Sequence, residues 1–107
     1  MMLITDRYTS KPIAHLKCST LRDADLTGMD LHNADLRGQD LNGAILVDTN
    51  LTGADLRDTD LQCVIWHRTN LTNADLRGAR IFNDQGMVNM PEVITTGMKP
   101  QLLLVPK

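Results

Sequence analysis

Aromatic side chains are nearly missing from this sequence. One Trp, one Tyr and one Phe among 107 residues leave a core to be filled by aliphatic and small side chains, although 42% of the chain is apolar. A chain of this length makes one domain, and a small compact core normally draws on aromatic area. A narrow, regularly layered interior does not need it. Cysteine is scarce too: Cys18 and Cys63 are too few and too isolated for a disulfide framework or a zinc site. No apolar run approaches the length of a membrane span, and Met1-Met2-Leu3-Ile4-Thr5-Asp6 meets an acid too early for a signal peptide. These absences lead to the expectation of a cytosolic protein with no membrane contact. A net charge of −2 gives no global attraction to nucleic acid, so any electrostatic partner has to be read locally.

What is present is a leucine-class residue at every fifth position, from Leu16 through Leu21, Leu26, Leu31 and Leu36 to Ile81. This period fits neither an amphipathic helix nor a flat strand, which return a side chain to one face after 3.6 and 2 residues. A small residue stands two positions before most of these leucines, as at Ala14, Ala24, Ala34, Ala44, Thr49 and Ala54. Two residues spaced by two share one side of an extended segment, and the residue between them, often Asp, points to the other side. The two positions after each leucine are rich in Gly, Asp and Asn, which suit turns. Each unit is therefore a short strand followed by a bend.

A longer period sets the number of bends in a circuit. The segments AHLKC from Ala14, ADLRG from Ala34, ADLRD from Ala54 and ADLRG from Ala74 recur at twenty residues. Thr49-Asn50-Leu51-Thr52 returns in the same way as Thr69-Asn70-Leu71-Thr72. Four units make one coil, and stacked coils bury a shared core, which is the signature of a solenoid. The run from 14 to 83 resembles the pentapeptide-repeat family, whose consensus A(D/N)LXX is matched by Ala24-Asp25-Leu26 and its copies. The resemblance implies an all-β fold, a right-handed quadrilateral parallel β-helix, here of about three and a half coils. Residues 1–13 are expected to cap one end, and residues 84–107 to form a cap or a dimerisation tail. Within that tail a brief helical turn near Met90 or Pro91 and a strand from Gln101 to Val105 are expected. Trp66, where leucine is standard, is expected inside.

Stacking by twenty sorts the outer residues into columns. One side carries Lys17, Arg37, Arg57 and Arg77 as a basic ladder beside Asp35, Asp55 and Asp75, an arrangement suited either to gripping phosphates or to mutual neutralisation. Exposed ion pairs are worth only about 0–1 kcal/mol each, so neutralisation is the simpler reading, and nucleic acid is disfavoured. A second side adds Asp40 and Asp60. Some members of the family resemble B-DNA in size and charge and bind type II topoisomerases such as DNA gyrase; the resemblance makes an acidic strip of this kind a candidate DNA mimic. On a third side the outward acid gives way to Ile45 and Ile65, followed by Val47 and His67. That side is expected to meet the tail, a second copy or a protein partner.

Catalytic apparatus is not recognisable. His15, His32 and His67 fall in different columns, and no HExxH, CxxC or phosphate-binding glycine loop occurs. The sequence therefore reads as a non-catalytic scaffold or regulator, without catalytic residues, cofactor or metal. It presents a charge-patterned rod to a protein partner, with homodimerisation expected.

Overall fold

The structure, a computed structural model, describes residues 2–83, 86–87 and 93–94, with side-chain environments over 2–81. Every fifth side chain enters a common interior. At those positions Leu21, Leu26, Leu31, Leu36, Leu41, Leu46, Leu51, Leu56, Leu61, Leu71 and Leu76 are 0–1% exposed. Burial of each contributes roughly 1.5–3 kcal/mol, which makes this column the main favourable term. The small position beside each leucine is buried as well, at Ala34, Ala44, Ala54, Ala74 and Ala79. Thr49, Thr59 and Thr69 replace alanine there with their hydroxyls satisfied. Thr49 Oγ1 donates to Leu26 O at 2.8 Å, Thr59 Oγ1 to Leu56 O at 2.8 Å and Thr69 Oγ1 to Leu46 O at 2.6 Å. A buried threonine hydroxyl is tolerated only with such a partner.

The twenty-residue repeat is the parallel register of the coil. Asp25 pairs with Ile45, Asp30 with Asn50, Asp35 with Asp55 and Asp40 with Asp60. The same four sides continue from Ile45 to Ile65, Asn50 to Asn70, Asp55 to Asp75 and Asp60 to Arg80. Backbone bonds run between coils, as from Leu36 N to Asp55 O at 2.9 Å and from Asp55 N to Ala34 O at 2.8 Å. Side one is the column of Asp35, side two that of Asp30, side three that of Asp25 and side four that of Asp40.

Both ends depart from the repeat. Strands β1 (Met2–Asp6) and β2 (Pro12–Leu16) form an antiparallel hairpin, and β1 also pairs antiparallel with β3 (Ala34–Asp35), giving the order β2-β1-β3. Thr5 lies opposite Asp35 and Asp6 opposite Ala34. Ala14, His15 and Leu16 therefore stand in β2, where the twenty-residue alignment would set them above Ala34–Leu36, and Lys17 leaves the column of Arg37. The physical reason is that Met2-Leu3-Ile4 supplies an apolar strand, and β1 takes the place on Ala34–Asp35 that the first unit would have filled. Ile4, 2% exposed, joins the buried core with the leucines, and Met2, Ile13, Ala14 and Leu16 of the hairpin pack against that core. Arg7 ties the hairpin to the rod, its Nη1 donating to Gly53 O at 3.0 Å.

Within the rod, β4 (Ile45–Val47) and β5 (Ile65–His67) pair in parallel on side three. Beyond the last leucine-class position, β7 (Phe82–Asn83) turns back antiparallel on β8 (Gly86–Met87). The chain rejoins the stack at β9 (Val93–Ile94), parallel to β6 (Thr69–Asn70), with Val93 opposite Thr69. That offset is four residues longer than the coil period. The helical turn expected near Met90 or Pro91 and the strand expected from Gln101 to Val105 lie outside the described residues.

From Leu21 to Leu76 the second residue after each inward position sits in the left-handed region, and the coil stacking makes some of these corners glycine-specific. Gly53 has φ +69, and a methyl group built on it would strike Asn33 Oδ1 on the preceding coil, whereas Gly28, φ +74, faces open space. Replacing each by alanine separates backbone strain from the clash. Gly28→Ala should lose about 1 kcal/mol in chemical denaturation, and Gly53→Ala about 1–2 kcal/mol more. Equal losses would show that the corner contact carries no energy.

Candidate interaction surfaces

The outward Asp or Asn of each unit holds its own turn. Its Oδ1 accepts a hydrogen bond from the backbone N–H two residues on: Asp25 from Thr27 at 3.0 Å, Asp40 from Asn42 at 3.0 Å, Asn50 from Thr52 at 3.0 Å, Asp60 from Gln62 at 3.0 Å and Asn70 from Thr72 at 3.0 Å. Asp30, Asp35, Asp55 and Asp75 do the same at 3.2–3.3 Å. This is the Asx turn, in which a side-chain oxygen stands in for a backbone acceptor. Sequence reasoning took these acids as surface charge. The signal that identifies them as turn formers is the interchange of Asp with Asn50 and Asn70, since the amide keeps the acceptor oxygen and discards the charge.

Side one brings two rungs of the ladder, Arg57 and Arg77, together with their acids. Asp55 and Asp75 are only 4% and 3% exposed. Arg57 grips Asp55 through Nε at 2.9 Å and Nη2 at 2.8 Å, and Arg77 grips Asp75 through Nε at 2.9 Å and Nη2 at 2.6 Å. Arg7 Nη2 approaches Asp55 from the hairpin at 3.9 Å. The Arg57 and Arg77 forks are thus committed within the molecule. Arg37 is exposed, and its backbone N–H supplies the hydrogen bond to Asp35.

On side four, Asp60 meets Arg80 Nη2 at 3.1 Å and Asn42 Nδ2 at 3.4 Å, and Asp40 meets Arg22 Nη1 at 3.4 Å. The acids proposed as a DNA-like strip therefore each hold a turn and a cation or amide. On side two, Asn50 Nδ2 donates to Asp30 Oδ1 at 3.1 Å, linking successive coils.

Side three is chemically different. Ile45 and Ile65 have no oxygen with which to close an Asx turn, and here the chain continues as the three-residue strands β4 and β5. Ile45 lies opposite Ile65, Leu46 opposite Trp66 and Val47 opposite His67. Ile65 is 52% exposed, while Ile45, Val47 and His67 are half-buried. Trp66 is half-buried against the core, and its Nε1 is buried with no acceptor. A polar rim closes the patch: Arg68 binds Asp48 through both Nε and Nη2, the latter at 2.9 Å, and Arg68 Nη1 donates to His67 Nε2 at 2.6 Å.

A family model described as pentapeptide repeats matches residues 19–58 and 49–83. The match begins after the hairpin, at the point where the regular coil starts. No curated protein matches the chain. Among solved structures, alr5209, a pentapeptide repeat protein from Nostoc Pcc 7120, is similar over 74% of this chain and 62% of its own, at 35% identity and a TM-score of 0.63. HetL, a pentapeptide repeat protein involved in heterocyst differentiation regulation from the cyanobacterium Nostoc sp. strain PCC 7120, is similar over 71% of this chain and 32% of its own, at 26% identity and a TM-score of 0.52. The chain thus spans less than two thirds of either protein.

The locked pairs on side one give stability a defined pH dependence. The hydrogen bonds from Arg77 hold the Asp75 carboxyl at about 2, below its ordinary value of 3.8. Because the folded value is the lower one, the stabilisation is complete above about pH 4 and is lost as pH falls towards 2. Denaturation measured at pH 6 and pH 2.5 should show Asp75→Asn costing about 1–2 kcal/mol at the higher pH and markedly less at the lower. An equal cost at both would mean that the pair contributes nothing as an ion pair.

Proposed function

Because this chain belongs to the pentapeptide repeat family, a class of non-enzymatic repeat scaffolds, we propose that it acts as a binding scaffold that docks a protein through side three. The observation that carries the reading is the exposed Ile65, stacked on Ile45 and flanked by Val47 and His67, on the one side where the turn-forming acid has been replaced. An apolar centre with a charged rim of Asp48 and Arg68 is the anatomy of a protein contact, the centre supplying buried area and the rim orientation. A second copy of the chain is the simplest occupant, which makes the protein a homodimer. The reading includes a right-handed coil of about three and a half turns, the sense and length that go with the family. HetL is described as taking part in regulation, and a regulatory binding role of that kind is the one extended here.

The topoisomerase and nucleic-acid readings draw less support from the surfaces. A DNA mimic needs acids free to stand for phosphates, and a phosphate grip needs free guanidiniums. Asp55, Asp75, Asp60 and Arg57 and Arg77 are each committed to partners within the rod.

The double substitution Ile45→Asp plus Ile65→Asp restores the turn-forming residue found on the other sides, so the fold should be kept. In sedimentation velocity and in affinity capture from the native cell, the substituted protein is expected to lose self-association or its captured partner, at an unchanged circular-dichroism spectrum. Identical mass and identical capture by both proteins would overturn side three as the docking site.

A further inference from the structure

The hairpin at the start of the chain offers a second surface, independent of side three. In the sheet β2-β1-β3, the strand β2 (Pro12–Leu16) pairs with β1 and with no other strand among the described residues. Alternate backbone N–H and C=O groups of an outer strand point away from its sheet and are a template for another strand. Two lysines bracket this edge, Lys11 immediately before β2 and Lys17 immediately after it, and both are exposed. Across the sheet Leu3 lies opposite His15, and Leu3 is 50% exposed.

The charges nearby are committed elsewhere, which leaves these lysines as the accessible ones. Asp6 accepts from Tyr8 N at 2.7 Å and Thr9 N at 3.0 Å to close the hairpin turn. Arg7 is held by Gly53 O, and Arg22 by Asp40. Lys11 and Lys17 have no ion-pair partner among the described residues.

Lysines at a strand edge are a known device against self-aggregation, and here that device has a direction. If a second copy added its own β2 to this edge, an antiparallel arrangement would set Lys11 against Lys17 and a parallel one would set each lysine against its equivalent. Both are repulsive. An extended segment with acidic residues near its ends meets the opposite situation. The main-chain groups of β2 supply hydrogen bonds of the strand-addition kind, the lysines select for carboxylates, and Leu3 offers apolar contact. We propose that the free edge of β2 is a docking site for an extended acidic segment of another protein, added as the outer strand of the hairpin sheet.

The test uses the whole protein and a fluorescein-labelled dodecapeptide of alternating Glu and Val, with a Lys-Val dodecapeptide as counterpart. Anisotropy titration at low salt should show binding of the acidic peptide and none of the basic one. Amide hydrogen exchange should slow within residues 12–16 on binding. Lys11→Glu plus Lys17→Glu should weaken binding by at least about tenfold. Should that variant fold poorly, Lys11→Gln plus Lys17→Gln removes the charge alone and should weaken binding severalfold. No binding by the unaltered protein, or protection confined to Ile45–Val47 and Ile65–His67, would overturn the proposal. The second result would leave the side-three reading standing, and loss of side-three docking would leave this one standing.

Discussion

The hydrogen bond that a backbone N–H donates to the side-chain oxygen of the outward Asp or Asn two residues before it governs this molecule. It closes nine of the turns that follow the short strands, and without a turn at that interval the leucines would not return to a common interior. The bond is local and worth only about 0.5–1.5 kcal/mol by itself. Its leverage comes from repetition: nine such contacts fix nine corners, and each corner sets the register of the coil above and below. Leucine burial then supplies energy along a path that the corners have already chosen. The interior stays narrow, which is why three aromatic residues suffice.

The same bond settles what the surface can offer. An acid that closes a turn has one oxygen occupied, and at Asp55 and Asp75 on side one the other oxygen is taken by arginine. Asp55 and Asp75 are nearly as buried as the alanines beside them. A surface that reads in sequence as alternating charge is, in three dimensions, a set of internally closed contacts. Among the positions that lack a turn-forming oxygen, Arg80 is bound to Asp60, which leaves Ile45 and Ile65 on side three and His15 in the first unit.

The inner half of the structure was legible in the sequence because its cause is periodic. The fivefold leucine placed the core, and the twenty-residue recurrence of ADLRG and Thr-Asn-Leu-Thr placed the four sides and their stacking partners. The hairpin was not legible. Ala14-His15-Leu16 keeps the spacing of a repeat, so alignment counted it as one; the pairing of Met2–Asp6 with both this segment and Ala34–Asp35 is a non-local contact that no repeat spacing encodes. The ladder was half legible for a related reason. Sequence identifies Arg57 and Asp55 as neighbours, but not that the guanidinium folds back two residues to grip the carboxylate of its own unit in place of facing solvent.

The two surfaces left over differ in kind, and the difference is whether the side chains or the backbone depart from the repeat. On side three an apolar residue takes the turn position within an otherwise regular coil, so strand pairing persists above and below and the novelty is confined to side chains. The recognition proposed there rests on buried apolar area, with Trp66 packed against the core from the same strand and its N–H unsatisfied. In the hairpin a whole segment stands outside the coil, so the novelty lies in the backbone: an outer strand with lysines at both ends. The recognition proposed there rests on main-chain hydrogen bonds and charge. The two proposed sites thus differ in chemistry, and a partner suited to one has no reason to fit the other.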